Sequence, residues 1–153
     1  MSDFVDPAEI TSDLVLSLHR FWLDARGSLV FPDRSNFTPE KLLPWLGHIQ
    51  IVDVIDGGGD FLHRVIGTKI VEVVGRDLTN KYVSECQYEI GTEAMLERYR
   101  ETAEKREPKF RKGTVIWARD KSWLDYQLVT APISTNGTQV DQMITVIDYP
   151  NLN

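Results

Sequence analysis

Gly67-Thr68-Lys69 follows a β-branched run and precedes a short helical stretch, the order in which a strand, a loop and a helix build a phosphate cradle. That chemistry needs G-x-x-x-x-G-K-[ST], so that several backbone amides and the lysine converge on the phosphates while a hydroxyl meets magnesium. Here Thr precedes Lys, and Leu62 occupies the position where the first glycine would stand. The triplet therefore reads as a tight strand-to-helix turn, with Gly67 letting the backbone bend and Thr68 capping the helix.

Asp53 and His63 are the next residues able to do chemistry. They sit in two strand-like segments, "HIQIVDVID" and "FLHRVIG", separated by glycines. With "DGGGD" as the hairpin loop, a constant index sum pairs Ile55 with Phe61, Asp53 with His63 and Ile51 with Val65. One face then carries Ile49, Ile51, Asp53, Ile55, Phe61, His63 and Val65, an apolar surface holding one polar pair. That pair reads either as a hydrogen-bonded fixture of strand register or as a ligand-orienting, pH-sensitive couple. A change of one residue in the loop register would put the two on different faces. The opposite face, with Val52, Val54, Leu62, Arg64 and Ile66, is also too apolar for bare solvent and calls for the N-terminal helix or a second subunit.

Other titratable groups offer less. His19, His48 and His63 are far apart with no Cys or His at ligand spacing, so no metal site is expected, and nothing around a single histidine demands haem. The aromatic side chains are the richer resource. Tyr99 on a long helix, Trp117 on a third strand, Trp123 and Tyr126 on a fourth and Tyr149 on a fifth could line a small-molecule pocket or simply fill a core.

The elements that would position these residues follow from periodicity. "TSDLVLSLHRFWLDARG" puts Leu14, Leu18, Phe21, Trp22 and Ala25 near one stripe, with Thr11 or Ser12 as N-cap and Gly27 as the stop. "TPEKLLPWLGH" reads as one or two helical turns begun at Thr38 and Pro39. After the hairpin, "TKIVEVVG" is a short helix ended by Gly75. "GTEAMLERYRETAEKRE" is a longer one whose stripe is Met95, Leu96, Tyr99 and Ala103, with Glu97, Arg98, Arg100, Glu101, Glu104 and Lys105 on the side facing water. "FRKGTVIWA", "WLDYQLVTAPI" and "TQVDQMITVIDY" read as strands, the last two joined at Asn136-Gly137 by a type I′ signal. Helices inserted between a hairpin and a three-stranded meander give an α+β class with an antiparallel sheet.

Composition narrows the function classes. A chain of 153 residues with 42% hydrophobic and 26% charged residues fits one domain with a real core. Its net charge of −6 argues against nucleic acid and anionic lipid as partners. No apolar run approaches the roughly 18 residues of a membrane span. One cysteine, Cys86, and no signal-peptide pattern lead to the expectation of a cytoplasmic protein.

From about Phe21 to Tyr149 the chain resembles the PAS domains, in particular a compact bacterial group of nearly free-standing PAS proteins. The resemblance is carried by "FWLDARGSLVFPDR", "FTPEKLLPWLGHIQIVDVI", "FLHRVIGTKIVEVVGRDLTNKYV" and "DYQLVTAPISTNGTQVDQM". Its most specific block, Phe61 to Tyr82, is similar to the family pattern aromatic-x-aromatic-Arg-apolar-apolar-Gly-Thr followed by Gly-Arg-Asp-Leu-Thr-Gly. His63 departs from it where an aromatic is usual and Asn80 where a glycine is usual. Asn tolerates the left-handed backbone, whereas His63 changes the chemistry of an interior position.

The resemblance implies a five-stranded antiparallel sheet of order 2-1-5-4-3, helices on one face around a pocket, and an additional N-terminal helix, about 11–26, that packs on the other face or mediates a homodimer. The single domain would have its core at about 45–149. It further implies a sensory or interaction module without catalysis, which binds a small molecule of unknown identity and signals to a protein partner in trans, with no output region of its own. "SECQYE" around Cys86 lacks the Asn-Cys-Arg-Phe motif of light-sensing relatives, so no flavin adduct is expected. Candidate pocket residues are Asp53, Phe61, His63, Val65, Tyr99, Trp117 and Tyr126. A ligand-free dimerisation adaptor is the alternative, and a small isomerase-like enzyme with Asp53 as general base a further one.

Overall fold

Ser12 opens the first helix: its hydroxyl accepts a hydrogen bond from the Val15 amide at 3.2 Å, and Gly27 ends the element at a φ of 56°. Thr11, the other cap candidate, bonds instead to Gln127. The structure is a computed structural model, and it describes residues 3–152. The first helix, α1, runs Asp13–Arg26. A 3-10 helix, Leu43–His48, leads into strands β1, Ile49–Ile55, and β2, Asp60–Ile66. Two helices follow, α2 at Thr68–Val74 and α3 at Thr92–Lys105. Strands β3, Lys109–Thr114, β4, Asp125–Ile133, and β5, Gln142–Asp148, complete the chain. The sheet order is β2-β1-β5-β4-β3 and every pairing is antiparallel.

Strand alternation divides the sheet into two apolar faces. Ile49, Ile51, Val129, Ala131, Ile133, Ile144 and Val146 meet Val15, Leu18 and Trp22 of α1. Trp22 also donates its indole N–H to the Pro132 carbonyl at 2.7 Å, so its polar atom is satisfied in the core. At roughly 1.5–3 kcal/mol for each fully buried large side chain, this face anchors the N-terminal helix firmly. The other face, including Leu128 and Ile147, is covered by α2, α3 and the segment after β3.

The β1–β2 hairpin departs from the expected register. Its loop is four residues rather than five, so Ile55 pairs with Asp60, Val54 with Phe61, Asp53 with Leu62 and Val52 with His63. Arg64 is then an extra residue, a bulge after which Ile51 pairs with Val65 as expected. Asp53 and His63 therefore do not face each other. The bulge reverses side-chain parity along β2: Phe61 and His63 share the face of Val52, whereas Val65 joins the α1 side.

Three local expectations need correction for physical reasons. Thr68 does not cap α2, because Gly67 is the cap residue and makes no side-chain bond. The turn expected at Thr38 and Pro39, by contrast, forms: the Thr38 carbonyl accepts from the Leu42 amide at 3.0 Å and its hydroxyl from the Lys41 amide at 3.4 Å, and 3-10 turns continue from Leu43 to His48. Asn136-Gly137 is not a two-residue type I′ turn: of the two only Gly137 has positive φ, while the Asn136 side-chain Oδ1 accepts from the backbone amides of Thr138 and Gln139 to fold a longer loop. Trp117 lies beyond β3 and Trp123 before β4, because the chain leaves the ladder after the Val115 to Leu124 bond.

Candidate functional site

The helix α3 presents Met95, Arg98, Tyr99 and Thr102 at the i, i+3, i+4, i+7 spacing of one face. That face looks across a cavity of about 80 Å³ at Thr130 and Leu128 of β4, Thr145 and Ile147 of β5, and Gln50 of β1. Ile70 and Val74 of α2, with Trp117, close its sides. The space is roomy enough for several waters or one small organic molecule.

The expected site residues divide across the structure. His63, Tyr99 and Trp117 line the cavity. Phe61 and Tyr126 stand one layer behind: Phe61 stacks on Tyr99 at 5.2 Å, and Tyr126 meets Trp117 edge-on at 4.8 Å between centroids. Val65 packs on the α1 side. Asp53 lies outside the cavity, held by Arg64 at 2.5 Å and by the Gln142 amide at 2.8 Å. Trp123 is exposed, while Tyr149 lies on the cavity wall.

His63 is locked from every side. Its backbone exchanges hydrogen bonds with the turn at Asn80 and Lys81, its Nδ1–H donates to the Lys81 carbonyl at 2.8 Å, and its Nε2 lies 3.4 Å from the Tyr88 hydroxyl. Burial pushes its pKa below the ordinary 6.5, against the upward pull of the Lys81 carbonyl and Asp60. A neutral ring satisfies this geometry, one nitrogen donating and the other accepting. Asn80 reaches its own bond to His63 through a φ of 67°, the backbone freedom expected of asparagine at this position.

The polar end of the cavity holds groups that the sequence reading did not select. Arg98, expected on the water-facing side of its helix, is largely buried. It donates to Asp3 at 2.7 Å and to the Tyr126 hydroxyl at 3.4 Å. Arg111 of β3, 4% exposed, donates to the other Asp3 oxygen at 2.6 Å and to the Thr102 hydroxyl at 2.8 Å. Burial pushes the Asp3 carboxyl up, but Arg111 and Arg98 outweigh it and hold it below the usual aspartate value. The Gln50 amide donates to the Tyr99 hydroxyl at 2.7 Å, and burial pushes the Tyr99 pKa up to about 12. The Tyr149 hydroxyl, buried at the wall, has no hydrogen-bond partner among the described residues. Two signals could have found this end: Phe110 on the α1 side forces Arg111 to the cavity side, and Arg98 completes the Met95–Tyr99–Thr102 stripe.

Cys86 is a buried thiol whose pKa burial pushes up, donating to the Tyr82 carbonyl at 3.2 Å. No group of three or more metal-binding side chains occurs among the described residues.

A sheet of this order around such a cavity agrees with a family model, "PAS domain", that matches residues 10–147. The chain belongs to the PAS domain family. Among solved structures similar to this PAS domain is one reported as "Flavin Analogue Sheds Light on Light-Oxygen-Voltage Domain Mechanism". It is 16% identical with a TM-score of 0.46, over 72% of this chain and 82% of that one. No curated protein matches the chain.

Proposed function

We propose that this PAS domain is a cytoplasmic sensory module that binds a small molecule between the sheet and α2/α3 and passes the signal to another protein in trans, without catalysis. The observation that carries the reading is the Tyr149 hydroxyl: it is buried on a cavity wall with no partner among the described residues, and buried polar groups without partners are uncommon. A ligand supplying one acceptor or donor there would satisfy it. Binding would then shift the populations of helix packing around α3, whose one face is the cavity wall.

Exposed apolar side chains support an interaction surface. Leu29 and Val30 follow α1, and Leu43 and Leu46 lie on the 3-10 helix beside it, all four at least 40% exposed. A homodimer contact in this region belongs to the same proposal, formed by the flanks of α1 because its apolar stripe is already spent on the sheet. Neither nucleic acid nor a lipid surface is a partner in this reading, in keeping with the net charge of −6.

Native mass spectrometry of gently purified protein tests the proposal. A reproducible small-molecule adduct that is lost when Thr145→Phe fills the cavity is the expected result. A mass equal to the bare polypeptide in every preparation, with no small molecule released on denaturation, would overturn it in favour of a ligand-free adaptor.

A further inference from the structure

Arg98 and Arg111 bring two buried guanidinium groups to one end of a cavity whose other walls are largely apolar. Burying a guanidinium without an anion is expensive, and truncating its partner leaves an uncompensated charge. Within 3 Å the pair shares a single carboxylate, Asp3, which presents one oxygen to each, at 2.7 Å and 2.6 Å. Asp3 is itself 49% exposed in its side chain, and the next carboxylate, Glu101, stands 3.7 Å from Arg111. The anion requirement at this end is therefore met from outside, by a residue on the segment ahead of α1.

The strap that delivers Asp3 is fastened independently of it. Val5 donates its amide to the Phe110 carbonyl at 2.9 Å, and the Phe4 ring lies 4.4 Å from the Arg111 guanidinium. Asp3 can thus leave the arginines while the strap stays seated along β3. On the wall of the same cavity the unpartnered Tyr149 hydroxyl adds a further donor, and Trp117, Leu128 and Ile147 supply an apolar surface. The complement of these groups is an anionic acceptor joined to a short apolar body.

We propose that the cavity binds a small organic carboxylate, whose oxygens take the place of the Asp3 carboxylate on Arg98 and Arg111. The inference rests on the small-molecule reading given above and names its ligand class. Asp3 is then a built-in competitor: it neutralises the arginines in the empty state and sets a threshold concentration for the ligand. An inorganic anion would leave the apolar wall unused. A neutral ligand would leave the arginines to Asp3.

NMR titration of the full chain at pH 7 with butyrate, its neutral isostere butyramide and inorganic phosphate tests this. The expected result is saturable shifts at Thr102, Trp117 and Tyr149 with butyrate alone, and at least tenfold tighter butyrate binding by Asp3→Asn. Arg98→Gln removes the butyrate response, and should that variant fail to fold, the surface change Asp3→Asn still decides. Butyramide or phosphate binding as tightly as butyrate would overturn the carboxylate assignment, as would an unchanged or weaker butyrate affinity in Asp3→Asn. No response to any probe also overturns it, whereas the small-molecule reading stands or falls separately on the native mass measurement.

Discussion

Replacing Gly67 by alanine tests why a glycine precedes Thr68-Lys69. Gly67 has an ordinary φ of −71°, so backbone strain is not the issue. A Cβ built there would lie 2.5 Å from the Gly47 carbonyl carbon and oxygen and from the Leu46 oxygen, all rigid backbone atoms. The start of α2 thus rests directly on the 3-10 helix before β1, and Gly67 also donates its amide to the Ile49 carbonyl at 2.7 Å. Overpacking in well-packed sites costs about 1–3 kcal/mol, and no flexible side chain is available to yield, so about 3 kcal/mol or more is expected. For a chain of this size that lowers Tm by roughly 6–12 °C. The control is Gly47→Ala across the same contact, where the added Cβ would stay 3.4 Å from the Thr68 hydroxyl and stability within about 0.5 kcal/mol of wild type. Urea unfolding of the two variants measures the difference. A Gly67→Ala stability within about 0.5 kcal/mol of wild type would refute the close-approach argument.

Three further outcomes follow from the same contacts. Asp53→Asn breaks an ion pair whose Arg64 partner is half exposed, so stability falls by less than about 1 kcal/mol by chemical denaturation and small-molecule binding is unchanged; a loss of binding would place Asp53 back in the site. His63 has a folded pKa below 6.5, so the unfolded chain takes up its proton first and stability falls as pH drops below about 6.5; His63→Gln flattens that part of the profile, leaving the share due to His19, which is lowered by burial and by Arg20 and Arg26. An unchanged slope in the His63→Gln variant would contradict the neutral-ring assignment. Trp22→Ala opens a core void and orphans the Pro132 carbonyl, a loss of about 3–5 kcal/mol in urea unfolding, and a loss under about 1 kcal/mol would mean that α1 is not docked on the sheet.

The helices were legible because their signals are local and repeated, Ser12 and Gly27 bracketing α1 and Gly75 stopping α2, whereas the strand order was an implication of the family resemblance carried by Phe61 to Tyr82. The Asp53–His63 pairing was not legible, since a four-residue loop and the bulge at Arg64 each shift register by one, and the two shifts cancel only beyond the bulge, at Ile51–Val65 and Gln50–Ile66. The polar end of the cavity was missed for another reason. Arginine on an otherwise charged helix face suggests solvent, and only the facing strand and the Asp3 strap make Arg98 and Arg111 an interior pair. Tyr99 and Trp117 were found because large aromatics mark interior positions whether or not a ligand is there.

The central claim, that the space between the sheet and α3 is a ligand site, is tested most directly by a high-resolution crystal structure of protein purified without displacing bound molecules. Continuous non-protein density within hydrogen-bond distance of the Tyr149 hydroxyl and against Trp117 is the predicted result. A cavity collapsed by side-chain repacking, or filled by ordered water alone with the Tyr149 hydroxyl bonded to it, would contradict the account.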